Sequence, residues 1–179
     1  MLYLAISATL SENIKSVRVK DSVQEPAEYT FQISCNNCRE VNPAPVLINS
    51  VEKHDMAGSK GEASFTMKCK FCSTECSVNL NHFEESLGAE PQISKDKRKK
   101  SGLAKLSTDS AAILQLDCRG CELTKFYFDN NLTFVVELVS GNKLECQFDQ
   151  GENEWYDYDD DAGEEVSITD FACEFFKGK

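Results

Sequence analysis

Two segments of this chain follow the same plan. Phe31-Gln32-Ile33-Ser34 leads into Cys35-Asn36-Asn37-Cys38, and Phe65-Thr66-Met67-Lys68 leads into Cys69-Lys70-Phe71-Cys72. Each is an alternating, strand-like stretch that runs straight into C-x-x-C. Two residues between thiols allow a tight turn, a knuckle, to aim both sulfurs at one ion, and four thiolates at about 2.3 Å in a tetrahedron form a closed zinc site. The sequence therefore predicts one structural Zn²⁺ held by Cys35, Cys38, Cys69 and Cys72. We expect the two strands to pair and bring the knuckles together, with Asn36-Asn37 supplying left-handed turn geometry. Arg39, Lys68 and Lys70 stand where they can offset the thiolate charge. Phe31, Ile33, Phe65, Met67 and Phe71 predict a partly buried site, suited to a structural ion rather than to a thiol-based carrier or redox protein that exchanges its metal.

The intervening 30 residues are long for a zinc finger, but closure entropy grows slowly with loop length. Pro43, Pro45 and a Gly58-Ser59-Lys60-Gly61 turn mark this stretch as a hairpin or excursion. An open catalytic zinc site has three protein ligands, often His, and a proton-handling group. His54 lies in a polar loop sequence and His82 near a chain turn, neither spaced to a second His. No catalytic constellation is visible, and the expectation is a non-enzyme.

Nine cysteines are an odd number, which weakens a disulfide framework and fits a reducing, intracellular setting. The opening residues alternate Leu2, Leu4, Ile6, Ala8 and Leu10 like a strand and lack the basic start of a signal sequence. No apolar run approaches the roughly 20 residues of a spanning helix. A cytoplasmic location follows, extended to the nucleus if the basic run Lys95, Lys97, Arg98, Lys99, Lys100 serves import. Cys118-Arg119-Gly120-Cys121 is a third C-x-x-C, but the residues after it lack the helical pattern of a thioredoxin-like motif. Cys76, Cys146 and Cys173 read as packing thiols.

Short period-two segments separated by Asn, Gly, Ser and Pro predict an all-β chain of antiparallel barrels or sandwiches. The only helical allowance is a turn or two within 103–116. The basic run, after Pro91 and before Ser101-Gly102, reads as a solvated linker. The predicted organisation is an N-terminal zinc-binding β-domain at 1–92, a linker at 93–102 and a C-terminal β-domain at 103–179. A faint repeat supports a duplication: Leu4-x-Ile6-x-Ala8-x-Leu10-x-Glu12 recurs 110 positions later as Leu114-x-Leu116-x-Cys118-x-Gly120-x-Glu122, and Thr30-Phe31-x-Ile33 recurs at an offset of 103 as Thr133-Phe134-x-Val136.

The net charge of −11 has a local origin, because twelve of the 30 acidic residues lie between Lys143 and Lys177 with no Lys or Arg among them. The rest of the chain is nearly balanced. This field disfavours nucleic acid as a partner. Within it, Trp155-Tyr156-Asp157-Tyr158-Asp159-Asp160-Asp161 fails as an EF-hand, since a loop starting at Asp157 would place Ala162 where Gly is needed and Ile168 where Glu is needed. The segment reads either as a loop with packed aromatics and solvated carboxylates or as a docking surface, around Asp157–Asp161, for another protein.

The two C-x-x-C pairs, the Cys118-Arg119-Gly120 segment, and Trp155-x-Asp157-Tyr158-Asp159 ahead of a last alternating strand together resemble the eukaryotic CXXC-motif-containing zinc-binding proteins, a family of unknown function. The resemblance runs over nearly the whole chain. It implies tandem, similar all-β domains with exchanged terminal strands and one zinc in the N-terminal half, on Cys35, Cys38, Cys69 and Cys72. The chain departs from the family pattern at Cys121, which adds a second thiol, and at its long basic linker.

Overall fold

The computed structural model describes residues 1–56, 58, 61–88 and 93–179. Along the chain run β1 (Leu2–Leu10), β2 (Ile14–Val19), β3 (Tyr29–Cys35), β4 (Val46–Ile48), β5 (His54–Asp55), β6 (Glu62–Ala63), β7 (Phe65–Lys68), β8 (Glu75–His82) and β9 (Leu87–Gly88). There follow α1 (Lys95–Lys100), β10 (Ala111–Arg119), β11 (Cys121–Phe126), β12 (Phe134–Leu138), β13 (Lys143–Cys146), β14 (Trp155–Asp159) and β15 (Glu164–Lys177). The protein is mostly β, as the alternation predicts, and its pairings are antiparallel.

The central sheet has six strands in the order β14-β15-β1-β10-β8-β7, flanked by β11-β3-β4, by β13-β12-β2-β9 and by the small pair β5-β6. The two halves of the chain share these sheets. β1 lies between β15 and β10, β3 takes β11 as a neighbour, and β12 takes β2. At the middle of the six-stranded sheet Leu4 pairs with Leu114, the two positions that the 110-residue offset superimposes.

Alternation along β1 explains its sequence. Leu4 and Ile6 face the main core with Phe31, Val78, Leu114, Phe134 and Ile168, while Tyr3 and Ala5 face a smaller cluster with Phe83, Leu103, Leu106 and Ala112. A central strand covered on both faces accordingly reads as a nearly unbroken apolar run.

The basic run is exposed at Lys95, Lys97, Lys99 and Lys100, as a solvated linker would be, but it is helical and one of its residues is not exposed. Its residues form α1, with Ser94 as N-cap accepting from the Lys97 amide, Asp96 in the first turn and four basic residues in the last, each placed favourably for the helix dipole. Arg98 is buried. Its Nε and Nη2 donate to the two carboxylate oxygens of Glu85 at 2.9 and 2.8 Å. The guanidinium also donates to the carbonyls of Leu106, Ser107 and Ser110. The turn or two of helix allowed within 103–116 is absent: turns occupy 101–109 and β10 begins at Ala111. The expected boundary at residue 92, with Pro91, lies outside the described residues, as do Ser59 and Lys60 of the expected turn. Around that turn β5 and β6 form the expected hairpin excursion.

Candidate metal centre

The knuckles after β3 and β7 have one backbone design. In the first, the Cys35 amide donates to the Glu40 carbonyl at 3.0 Å and the Arg39 amide donates to the Cys35 carbonyl at 3.0 Å; in the second, Cys69 N–H to Thr74 O and Ser73 N–H to Cys69 O are both 2.9 Å. The left-handed residue is the one after the second cysteine, Arg39 (φ 67°) or Ser73 (φ 61°), and not Asn36 or Asn37. The asparagines serve through their side chains instead. Asn37 Nδ2 donates to Cys72 Sγ at 3.6 Å across the two knuckles, and Asn36 Nδ2 donates to the Cys121 carbonyl at 3.3 Å.

The expected pairing of β3 with β7 does not occur. β7 pairs with β8 in the six-stranded sheet, and β3 pairs with β11 and β4 in another. What joins them is the β10–β11 turn. Cys118 pairs with Val78 on β8, and Cys121 pairs with Cys35 on β3. Gly120 at the corner has φ +74°, and a Cβ there would stand 2.3 Å from the Glu75 carbonyl oxygen, so only glycine fits without displacement. Its own carbonyl accepts from the Asn36 amide at 3.1 Å and from Cys76 Sγ at 3.3 Å. The third C-x-x-C is thus the bracket between the two knuckles, a role its local sequence does not disclose.

The four sulfurs of Cys35, Cys38, Cys69 and Cys72 lie within 4.8 Å of one another. Cys35–Cys72 and Cys38–Cys69 are each 3.6 Å apart. Donors at about 2.3 Å from a common centre would form a tetrahedron with edges of about 3.8 Å, so the cluster fits a tetrahedral metal thiolate. Among the described residues this is the group of metal-ligating side chains that the fold gathers. Hydrogen bonds divide the sulfurs electrostatically. The Cys38 amide, with that of Asn37, lowers the Cys35 thiol. Thr74, through its hydroxyl and amide, brings Cys72 down to about 6. The Glu40 amide pulls Cys38 down, but burial and the three neighbouring thiols outweigh it and push it up to about 12. Without a cation, four thiolates this close repel one another, and a divalent ion removes that conflict.

Phe31 and Ile33 are buried behind the site and Phe65 and Met67 half-buried, but Phe71, at the tip of the second knuckle, is 57% exposed. Of the basic neighbours, Lys68 pairs with Glu75 at 3.4 Å. Arg39 and Lys70 are exposed. His54 sits on β5 beside Glu52 at 3.6 Å. His82 Nε2 lies 2.6 Å from Asp21, which also accepts from the Tyr29 hydroxyl at 2.9 Å. Cys146 is buried at the end of β13, and Cys173 packs half-buried against the main core.

In the acidic segment, Asp157, Asp160 and Asp161 are exposed but Asp159 is buried. Asp159 accepts from Ser140 Oγ at 2.6 Å and from Asn142 Nδ2 at 2.8 Å. Those bonds, Ser140 first, hold its carboxyl below the usual range.

Comparison with known proteins agrees with this geometry. The chain is 49% identical over 183 residues to the UPF0587 protein YCR090C of Saccharomyces cerevisiae, covering 99% of each chain. It is 28% identical to the human CXXC motif containing zinc binding protein, over 97% of this chain and 96% of that one. The crystal structure of C1orf123 superposes with a TM-score of 0.73 at 27% identity, over 98% of each chain. A hypothetical protein from Plasmodium falciparum, at 20% identity and 98% coverage of both chains, shares the fold with a TM-score of 0.73. The profile of the eukaryotic CXXC motif containing zinc binding proteins matches residues 3–176, and the chain belongs to that family.

Proposed function

We propose that Cys35, Cys38, Cys69 and Cys72 hold one structural Zn²⁺ in a closed site, and that the protein is an intracellular, non-enzymatic interaction module. The observation that carries the zinc reading is the pair of like knuckles, drawn from two different sheets, with sulfurs 3.6 Å apart across them. A bound ion supplies a cross-link between the sheets, worth folding free energy because no such site exists in the unfolded chain. All four thiols are used, so no position is left for an activated water. Replacing Cys35 or Cys69 with Ser should lower zinc affinity by more than about 100-fold, beyond what loss of an outer-sphere partner costs. Metal analysis after dialysis tests this, and a full equivalent of zinc in both variants would sink it.

For the interaction role, the support is the exposed carboxylates of Asp157, Asp160 and Asp161 beside the exposed rings of Tyr156 and Tyr158 on one hairpin. A basic, aromatic-accepting segment of another protein fits that chemistry. The half-exposed Cys38 and Cys72 and the exposed Phe71 favour a second reading, a carrier that exchanges its ion. Rapid zinc transfer to a competing thiol protein with the fold intact would select the carrier over the structural site.

The sheet order also supports tandem, similar β-units with exchanged strands. Replacing β1, β2, β3, β4, β7 and β8 by β10, β11, β12, β13, β14 and β15 respectively, and vice versa, maps the six-stranded sheet onto itself and maps β11-β3-β4 onto β2-β12-β13.

A further inference from the structure

The bracket that joins the two knuckles carries its own pair of thiols. Cys118 is half-buried and Cys121 buried, on either side of the corner at Gly120. The Cys118 thiol is held below its ordinary range by the neighbouring Cys121, which outweighs burial and Asp117. Cys121 Sγ donates to the Ser77 carbonyl at 3.6 Å and also neighbours the Cys76 thiol. Cys118 and Cys121 both line a surface cleft of about 360 Å³, together with Asn36, Asp117, Glu122 and Lys177. The arrangement has the parts of a two-step thiol–disulfide site: a half-buried thiol, a buried one three residues on that lines the same cleft, and room for a peptide-sized disulfide. Nothing in zinc binding requires these thiols, since the metal set is complete without them.

We propose that Cys118 and Cys121 form a thiol–disulfide modification site that reacts with low-molecular-weight disulfides such as glutathione disulfide. Cys118 thiolate attacks one sulfur of the glutathione disulfide. That S–S bond breaks, one glutathione thiolate leaves, and a Cys118–glutathione mixed disulfide forms. Cys121 sulfur then attacks Cys118 Sγ, and the second glutathione leaves with the proton that Cys121 gives up. Two protein thiols are oxidised to one disulfide and one glutathione disulfide is reduced to two thiols. The loop closed is only four residues, so the bond removes little unfolded-chain entropy and remains open to reduction by excess glutathione. Its position gives it a listener, because the Gly120 carbonyl and the Cys121 carbonyl both hold Asn36, inside the first knuckle.

The test uses the full zinc-loaded chain, treated with glutathione disulfide, quenched by alkylation and mapped by peptide mass spectrometry. The expected product is a Cys118–Cys121 link that dithiothreitol reverses, with Cys35, Cys38, Cys69 and Cys72 unmodified. Cys121→Ala should trap one glutathione on Cys118, and Cys118→Ser should form no link. Because Cys121 is buried, its variant is checked for native circular dichroism. Cys118→Ser, at the more open position, carries the test if the Cys121 variant does not fold. No link and no adduct on the wild type, or a link that survives in Cys118→Ser by joining Cys121 to Cys76, would overturn the proposal. If the zinc reading fails and the ligand thiols oxidise as well, the Cys118–Cys121 link should still form.

Discussion

Arg98 and Glu85 permit a quantitative test of how the α1 segment is held. Both side chains are 5% exposed. Replacing Arg98 with Met keeps most of the side chain's length and apolar bulk but strands the Glu85 carboxylate, which keeps only the Ala112 amide at 2.8 Å. It also removes the guanidinium donor from the carbonyls of Leu106, Ser107 and Ser110, of which that of Ser107 keeps the Ser110 amide. Leaving a buried charge without its partner costs about 3–5 kcal/mol, a large share of the roughly 5–15 kcal/mol that holds a domain folded. Glu85→Gln keeps a polar acceptor beside the guanidinium but weakens charge-assisted bonds, a loss of about 1.5–3 kcal/mol. In the double variant neither charge is stranded, so it should be more stable than Arg98→Met alone. The two single losses should exceed the double loss by about 1–3 kcal/mol. Urea unfolding followed by circular dichroism on all four proteins completes the cycle, and zinc content should stay at the wild-type level throughout. A loss below about 1 kcal/mol for Arg98→Met, or strict additivity, would show that α1 is a surface element after all.

Gly120→Ala should destabilise the protein by about 1–3 kcal/mol, the cost of a left-handed non-glycine residue, and should weaken zinc binding as the bracket shifts; unchanged unfolding and metal titrations would contradict the joining role of the corner. Asp159→Asn should lower stability at neutral pH. Because the folded-state pKa of Asp159 lies below its unfolded value of about 3.9, its contribution is fully present above that value and lost as pH falls through the folded one. The gap between wild type and Asp159→Asn in melting temperature should therefore close in acid, and a gap that stays constant to the lowest pH at which the protein folds would refute the assignment. Neutralising Asp157, Asp160 and Asp161 together should abolish retention on a basic peptide resin while leaving the melting temperature within a few degrees, and retained binding would remove this hairpin as the docking face. Strong chelation should deprotect the backbone amides of the two knuckles in hydrogen exchange before those of β12 and β13; the reverse order would contradict a zinc cross-link.

The parts of the site that sequence discloses are those set by local chemistry. Two residues between thiols specify a knuckle whatever surrounds it, and alternation at Phe31, Ile33 and Cys35 specifies a strand with one buried face. Pairing is not local. β3 takes β11 rather than β7, and no pattern within Tyr29–Cys35 records that choice. Asn tolerates the left-handed conformation well, so the sequence points to Asn36-Asn37 for it. The fold instead puts it on Arg39 and Ser73, where the amide must point back to the first cysteine's carbonyl. Arg98 stands in a run of like charges, and its partner is Glu85, beyond the usual reach of a helix-spacing pattern. The one local hint was Ser94, three residues before Lys97, which marks a helix start.

The buried Asp159 has a counterpart at the other end of the fold. Leu138 pairs with Ile14 as Cys35 pairs with Cys121. The Gly163 amide donates to the Asp159 carbonyl as the Ser73 amide donates to that of Cys69, with φ of 66° and 61° at the two donors. Where one end gathers four sulfurs, the other gathers a carboxylate, a hydroxyl and an amide from Asp159, Ser140 and Asn142. The two ends are latches of the same shape with different bolts. A chelator would draw one bolt and leave the other, whereas acid strong enough to protonate Asp159 also protonates the thiolates, so low pH draws both.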